Sequence, residues 1–184
     1  MKYNLLGSTG LRVSELCMGT MTFGSGGEMW DAIGTQEQEE ANNVLKTAVD
    51  HGVNFVDTAN IYSYGQAEQI LGNALNKADI DREELVIASK VRGEMGEGPN
   101  QGGLSRYHVI QAVDDSLDRL NLHHLDVLYV HGFDSDVPIE ETMRTLNHLV
   151  ATERTQYLGV SNWPAWAVIK ANEIARSNNW HTFQ

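Results

Sequence analysis

The sequence predicts an α/β fold in which a parallel sheet alternates with helices. Three observations carry this. Short apolar runs rich in β-branched residues recur at 16–20, 53–57, 85–90, 125–130, 157–161 and from 181 onward, with starts 24 to 40 residues apart. Near-continuous hydrophobicity over so few residues suits strands covered on both faces. Between the runs, apolar residues repeat at helical spacing, so a helix follows each strand.

The elements follow in order. Residues 3–6 and 11–14 flank a Gly7-Ser8-Thr9-Gly10 turn and read as a small hairpin ahead of the first unit. After the first run, Gly24-Ser25-Gly26-Gly27 reads as a flexible loop. It does not fit G-x-G-x-x-G, and the chain has no G-x-x-x-x-G-K-[ST], so the simplest dinucleotide and phosphate-loop readings fall away. A Thr35-x-x-Gln38 capping box precedes a helix carrying Ala41, Val44, Leu45, Ala48 and Val49. The pattern repeats in Ala67, Ile70, Leu71, Ala74 and Leu75, then in Val109, Val113, Leu117 and Leu120, then in Ile139, Met143, Leu146 and Val150. A fifth helix begins at Pro164, whose missing N–H costs nothing in a first helical turn, and runs to about 176. Six units of this kind leave two architectures, a doubly wound open sheet or a (β/α)8 barrel.

Composition narrows the function. The 184 residues make one domain, 1–184, and 41% apolar content supplies a core. A net charge of −12 with no run of Lys or Arg argues against a nucleic-acid partner, because neutralising phosphates needs clustered cations. No apolar stretch approaches ~18 residues and the N-terminus lacks a signal-like segment, so no membrane association and a cytoplasmic location are expected. Cys17 stands alone, which excludes an internal disulfide and a cysteine metal cluster. His123 and His124, read as neighbours on a helix, point in different directions, and Asp134-Ser135-Asp136 reads as a loop. No metal is expected.

Polar residues gather at the C-terminal ends of the runs: Thr20, Asp57, Lys90, His131, Ser161 with Asn162, and Gln184. In a barrel those ends line one mouth. Tyr62 follows Asp57 by five residues. An ammonium beside a phenol favours release of its proton, so Lys90 would make Tyr62 a usable acid, with Asp57 holding Lys90 and His131 orienting a substrate oxygen. Each residue alone has an ordinary reading: Asp57 as a cap, Tyr62 as a packed phenol, His131 as a core histidine, Asn162 as the cap of the Pro164 helix. Together they form an acid aimed at a carbonyl oxygen, and reduction then needs a hydride from a nicotinamide. Ser161, Asn162 and Gln184 could grip its carboxamide, while Phe23, Trp30 and Trp163 could wall an apolar pocket.

At these residues the chain resembles the aldo-keto reductase family. The stretches that carry the resemblance are LGSTGLRVSELCMGTMTFG, GVNFVDTANIYSYGQAEQILGNAL, VIASKV, LDRLNLHHLDVLYVHGFD, YLGVSNWPAW and the final glutamine. The resemblance implies a (β/α)8 TIM barrel with a hairpin plugging its floor, represented here by the first six βα units. It implies pro-R hydride transfer from NADPH, with NADH as the alternative, to aldehydes and ketones. Asp57, Tyr62, Lys90 and His131 match the catalytic tetrad; Thr20, Met21, Asp57, Ser161, Asn162 and Gln184 match cofactor-binding positions. Two departures stand out. The barrel needs ~250 residues, so strands seven and eight, an aromatic that stacks on the nicotinamide and a basic loop for the 2′-phosphate are expected beyond Gln184. Open sheet edges then predict oligomerisation. Glu153-Arg154 stands where the family often has Gly-Lys, which bears on the local turn. The rival readings are a non-catalytic redox-sensing or regulatory subunit on the same fold, and an inactive truncated product.

Overall fold

The apolar runs form strands and the amphipathic segments form helices. The structure, a computed structural model, describes the chain from Met1 to Gln184 except residues 27, 35, 78 and 79. Strands β1 (Tyr3–Leu5) and β2 (Arg12–Ser14) pair antiparallel as the hairpin. There follow β3 (Cys17–Gly19), α1 (Glu28–Ile33), α2 (Gln38–Asp50), β4 (Phe55–Asp57), α3 (Gln66–Lys77), β5 (Val86–Val91), α4 (Arg106–Leu120), β6 (Leu125–Val130), α5 (Ile139–Ala151), β7 (Thr155–Val160) and α6 (Ala165–Ser177). Among the described residues, β3 to β7 form one parallel sheet in strictly sequential order. A doubly wound sheet reverses its strand order at a switch point, whereas a barrel adds each strand beside the last. The sequential order decides for the barrel.

Alternation along each strand sorts residues between two cores. Met18, Val56, Ile87, Leu128 and Leu158 pack outward against helix residues such as Leu45, Leu71, Val109 and Leu146. Phe55, Val86, Ala88 and Val127 face inward, where Val13, Leu6 and Leu11 of the hairpin meet them together with Tyr129 and Tyr157. The hairpin thus fills the inside of the sheet, as the resemblance implies. Asn54 fastens it: its Oδ1 accepts from Ser14 N at 2.7 Å, and its Nδ2 donates to Arg12 O at 3.1 Å. Gly159 lies directly across from Tyr129, and a Cβ there would stand 2.3 Å from Tyr129 Cε1, so the bare backbone makes room for the ring.

Several expectations change. The sixth strand is reduced to a single parallel bridge between Leu158 and Phe183, because residues 181–184 offer too few backbone groups for a ladder. β4 starts at Phe55 rather than at 53, since Asn54 is occupied with the hairpin. β7 starts two residues early, at the buried Thr155. Glu153 before it has φ 59, the left-handed geometry that glycine takes without strain, which accounts for the family's Gly-Lys at this turn. His123 and His124 are not helical, because α4 ends at Leu120 with Asn121 as a left-handed cap (φ 52). Thr35 of the expected capping box lies outside the described residues; the cap position of α2 is Glu37, whose side chain makes no capping bond. The glycine run is bonded in its described part, with Gly24 N donating to Gln36 O at 3.0 Å and Gly26 N to Asp31 Oδ1 at 2.9 Å; Gly27 lies outside the described residues.

Candidate active site

Four polar side chains come from three neighbouring strand ends. Asp57 is the last residue of β4, Lys90 the fifth of the six in β5, and His131 the first beyond β6. Tyr62 comes from the turn after β4. That turn, Tyr62–Gly65, is a 3-10 turn in which Ser63 (φ 48), Tyr64 (φ 51) and Gly65 (φ 92) are all left-handed. Non-glycine residues pay for that geometry and keep it only where their surroundings impose it. Part of the imposition is visible: buried Ser63 donates from Oγ to Phe23 O at 3.0 Å.

Lys90 joins the group together. Its Nζ donates to Asp57 Oδ2 at 2.5 Å, to Thr58 O at 2.8 Å and to Tyr62 Oη at 3.1 Å. An ammonium has three protons, and all three are committed, which fixes the nitrogen in space. It also lies 4.8 Å from the centre of the Tyr62 ring. Burial raises the Asp57 carboxyl above its ordinary 3.8, and Lys90 opposes that rise. The His131 ring meets Tyr62 edge-on, with centroids 5.8 Å apart. Burial, then Lys90 and Arg92, push its imidazole down from 6.5 to about 4. His131 is therefore neutral near pH 7, with one ring N–H able to donate to a substrate oxygen.

This shift has a consequence for stability. The unfolded chain takes up a proton on His131 near 6.5 that the folded chain refuses until about 4. Stability on this account falls as the pH drops through that window. Asp57, raised in the folded state, acts in the opposite sense at the acid end. In thermal melts between pH 7 and 4, His131→Gln is expected to flatten the loss of Tm. An unchanged slope would contradict the assignment.

The other expected residues are placed less uniformly. Ser161 follows β7, and its backbone N donates to Val130 O at 2.9 Å. Asn162 is left-handed (φ 55), and its Nδ2 donates to His131 O at 3.0 Å and to Ser161 Oγ at 2.9 Å. It is not a helix cap, because Pro164 holds the cap position of α6 and the Asn162 amide is turned to His131. A hydroxyl donor beside an amide oxygen is the pair that a primary carboxamide requires, so these two residues could hold a group such as a nicotinamide carboxamide. Thr20 lies beside Asp57, its N donating to Asp57 O at 3.0 Å, and its buried hydroxyl has no partner among the described residues. Met21 is exposed.

Gln184 is not brought to the group: Ser8 Oγ donates to its Oε1 at 2.7 Å and its Nε2 donates to Thr182 O at 3.1 Å, so both ends of the amide are engaged by neighbours. Phe23 does not wall the mouth either, since it is fully buried in the outer core. Trp30, on α1, lies edge-on to Tyr62 with centroids 5.9 Å apart, and Trp163 packs on Phe133 and Phe183. Asp134 clasps its loop by accepting from Leu104 N and Asp136 N. Among the described residues no three His, Cys, Asp or Glu side chains are grouped to hold a metal ion.

A sequence profile described as the Aldo/keto reductase family matches residues 15–181. The chain belongs to this family. Among curated relatives, it is 37% identical over its whole length to "Versiconal hemiacetal acetate reductase" of Aspergillus parasiticus, of which it covers 57%. It is 40% identical over 97% of its length to "Norsolorinic acid reductase" of Aspergillus flavus, covering 47% of that protein. A "Probable voltage-gated potassium channel subunit beta" of Arabidopsis thaliana is also 40% identical, over 93% of this chain and 49% of its own length. The chain thus spans about half the length of the curated relatives it matches. Glu68 is fully buried among these elements, and no motif in the sequence marks it. The signal is its spacing: it stands three and seven residues before Leu71 and Leu75, an acid on the apolar face of α3.

Proposed function

We propose that this aldo-keto reductase reduces aldehydes or ketones to alcohols with NADPH, NADH being the alternative. The observation that carries the reading is the Lys90 ammonium held between Asp57 and Tyr62. A reduced nicotinamide, when bound, supplies the hydride. Ser161 and Asn162 would hold its carboxamide, and Thr20 and Met21 would contribute to its site. Tyr62 Oη gives its proton to the carbonyl oxygen as the carbon is reduced. Lys90 stabilises the charge left on Tyr62 Oη, and Asp57 keeps Lys90 in place. Neutral His131 donates a hydrogen bond to the same carbonyl oxygen and orients it.

Steady-state oxidation of NADPH with 4-nitrobenzaldehyde tests this in the full-length protein. Turnover that requires both compounds is expected. A chain that binds NADPH, by fluorescence titration, but never turns over would instead favour the non-catalytic redox-sensing or regulatory subunit; one relative is named as a channel subunit.

A further inference from the structure

Tyr62 sits in a strained turn and Lys90 on a strand, and their 3.1 Å contact needs the two segments held in register. One buried carboxylate ties both. Glu68 lies in the first turn of α3, directly after the Tyr62–Gly65 turn, and is 0% exposed. Its Oε1 accepts from Ser89 Oγ at 2.5 Å. Ser89 immediately precedes Lys90, pointing outward where Lys90 points inward, so this bond holds the strand from behind at the position where Lys90 leaves it. Its Oε2 accepts from Arg119 Nε at 2.7 Å, and Arg119 in turn donates to Ser116 Oγ at 3.1 Å. Arg119 covers Gly65: a Cβ there would stand 2.8 Å from Arg119 Cδ, so the left-handed turn and the guanidinium fit only because residue 65 is glycine. A charge taken wholly out of water is costly unless it is paired and hydrogen-bonded. Here one partner, Ser89, lies on the strand that carries Lys90, and the other, Arg119 of α4, lies over the turn that carries Tyr62.

We infer that Glu68, with Ser89 and Arg119, is a positioning residue that holds Tyr62 and Lys90 in register for proton transfer. The inference rests on the carbonyl-reductase reading of the same site. Ser63, bonded to Phe23, anchors one end of the left-handed turn, and Arg119 over Gly65 with Glu68 on Ser89 anchors the other. Loosening the second anchor lets the turn relax and the phenol drift from Lys90.

Ser89→Ala is the test, because it removes the bond to β5 while Arg119 still pairs with Glu68. In the full-length protein, kcat is expected to fall about tenfold or more, since a misplacement of about 1 Å can cost about 10²-fold. KM for NADPH should stay within about twofold, and the solvent isotope effect on kcat should rise as proton transfer becomes limiting. In a Tyr62→Phe background Ser89→Ala should cost nothing further, because the clamp acts through the phenol. An unchanged kcat, or an equal drop in both backgrounds, overturns the inference. A wild-type protein that reduces no carbonyl would sink the functional reading alone. The geometry is then decided by a crystal structure of Ser89→Ala, where the distance from Lys90 Nζ to Tyr62 Oη should exceed about 3.5 Å; a contact still at 3.1 Å overturns the clamp.

Discussion

Tyr62→Phe is expected to cut carbonyl reduction to a small residual rate and to leave NADPH binding intact. Phenylalanine keeps the ring, and with it the edge contacts to Trp30 and His131. It removes only the oxygen to which Lys90 donates and from which the proton would leave. A positioned general acid contributes about 10²- to 10⁴-fold, so turnover should drop by that order. The fold should tolerate the change, at a cost of about 1 kcal/mol, because Lys90 keeps its bonds to Asp57 and Thr58 and no charge is stranded. Fluorescence titration with NADPH should give the wild-type affinity. Unchanged turnover would remove Tyr62 from the chemistry.

Lys90→Met should damage both activity and stability. Methionine fills the space of the lysine stem, but Asp57, Thr58 O and Tyr62 Oη lose their common donor. Breaking a fully buried ion pair costs about 3–5 kcal/mol. The Asp57 side chain keeps 26% of its surface in water, so the loss should fall below that range. Reduction should fall at least about 10²-fold, since the charge that would stabilise ionised Tyr62 is gone. Chemical denaturation and steady-state rates measure the two effects separately. A variant with near wild-type kcat would show that Lys90 only supports the fold.

The legible features were those set by local pattern. The two-residue period of the strands, which turns Asp57 and Lys90 inward together, and the 3.6-residue period of the helices can be read from a few neighbouring residues. What distant contacts set could not be read. Nothing near Tyr62 announces that Ser63 and Tyr64 are left-handed, because Phe23 and Arg119 impose it from outside the turn. Gln184 lies at the end of the right run, yet its amide turns to Ser8 across the fold. Asn162 reads equally well as a helix cap and as a site residue, and its bond to the His131 carbonyl, with Pro164 at the cap position, removes the first reading. Glu68 was legible only as an anomaly, an acid on an apolar stripe, and its meaning needed Ser89 and Arg119 beside it.

The hairpin that fills the inside of the sheet imposes an order on assembly. Ser8 of its turn and Gln184, which meet in an exposed contact, are 176 positions apart. Contacts of such separation close late, after the intervening chain has lost its freedom. The hairpin is the first part of the described chain to be synthesised, yet its inner apolar residues, Leu6, Leu11 and Val13, find partners successively on β4, β5, β6 and β7. This segment thus gains its cover piecemeal, and until β7 is in place part of its apolar side is open to whatever else is near.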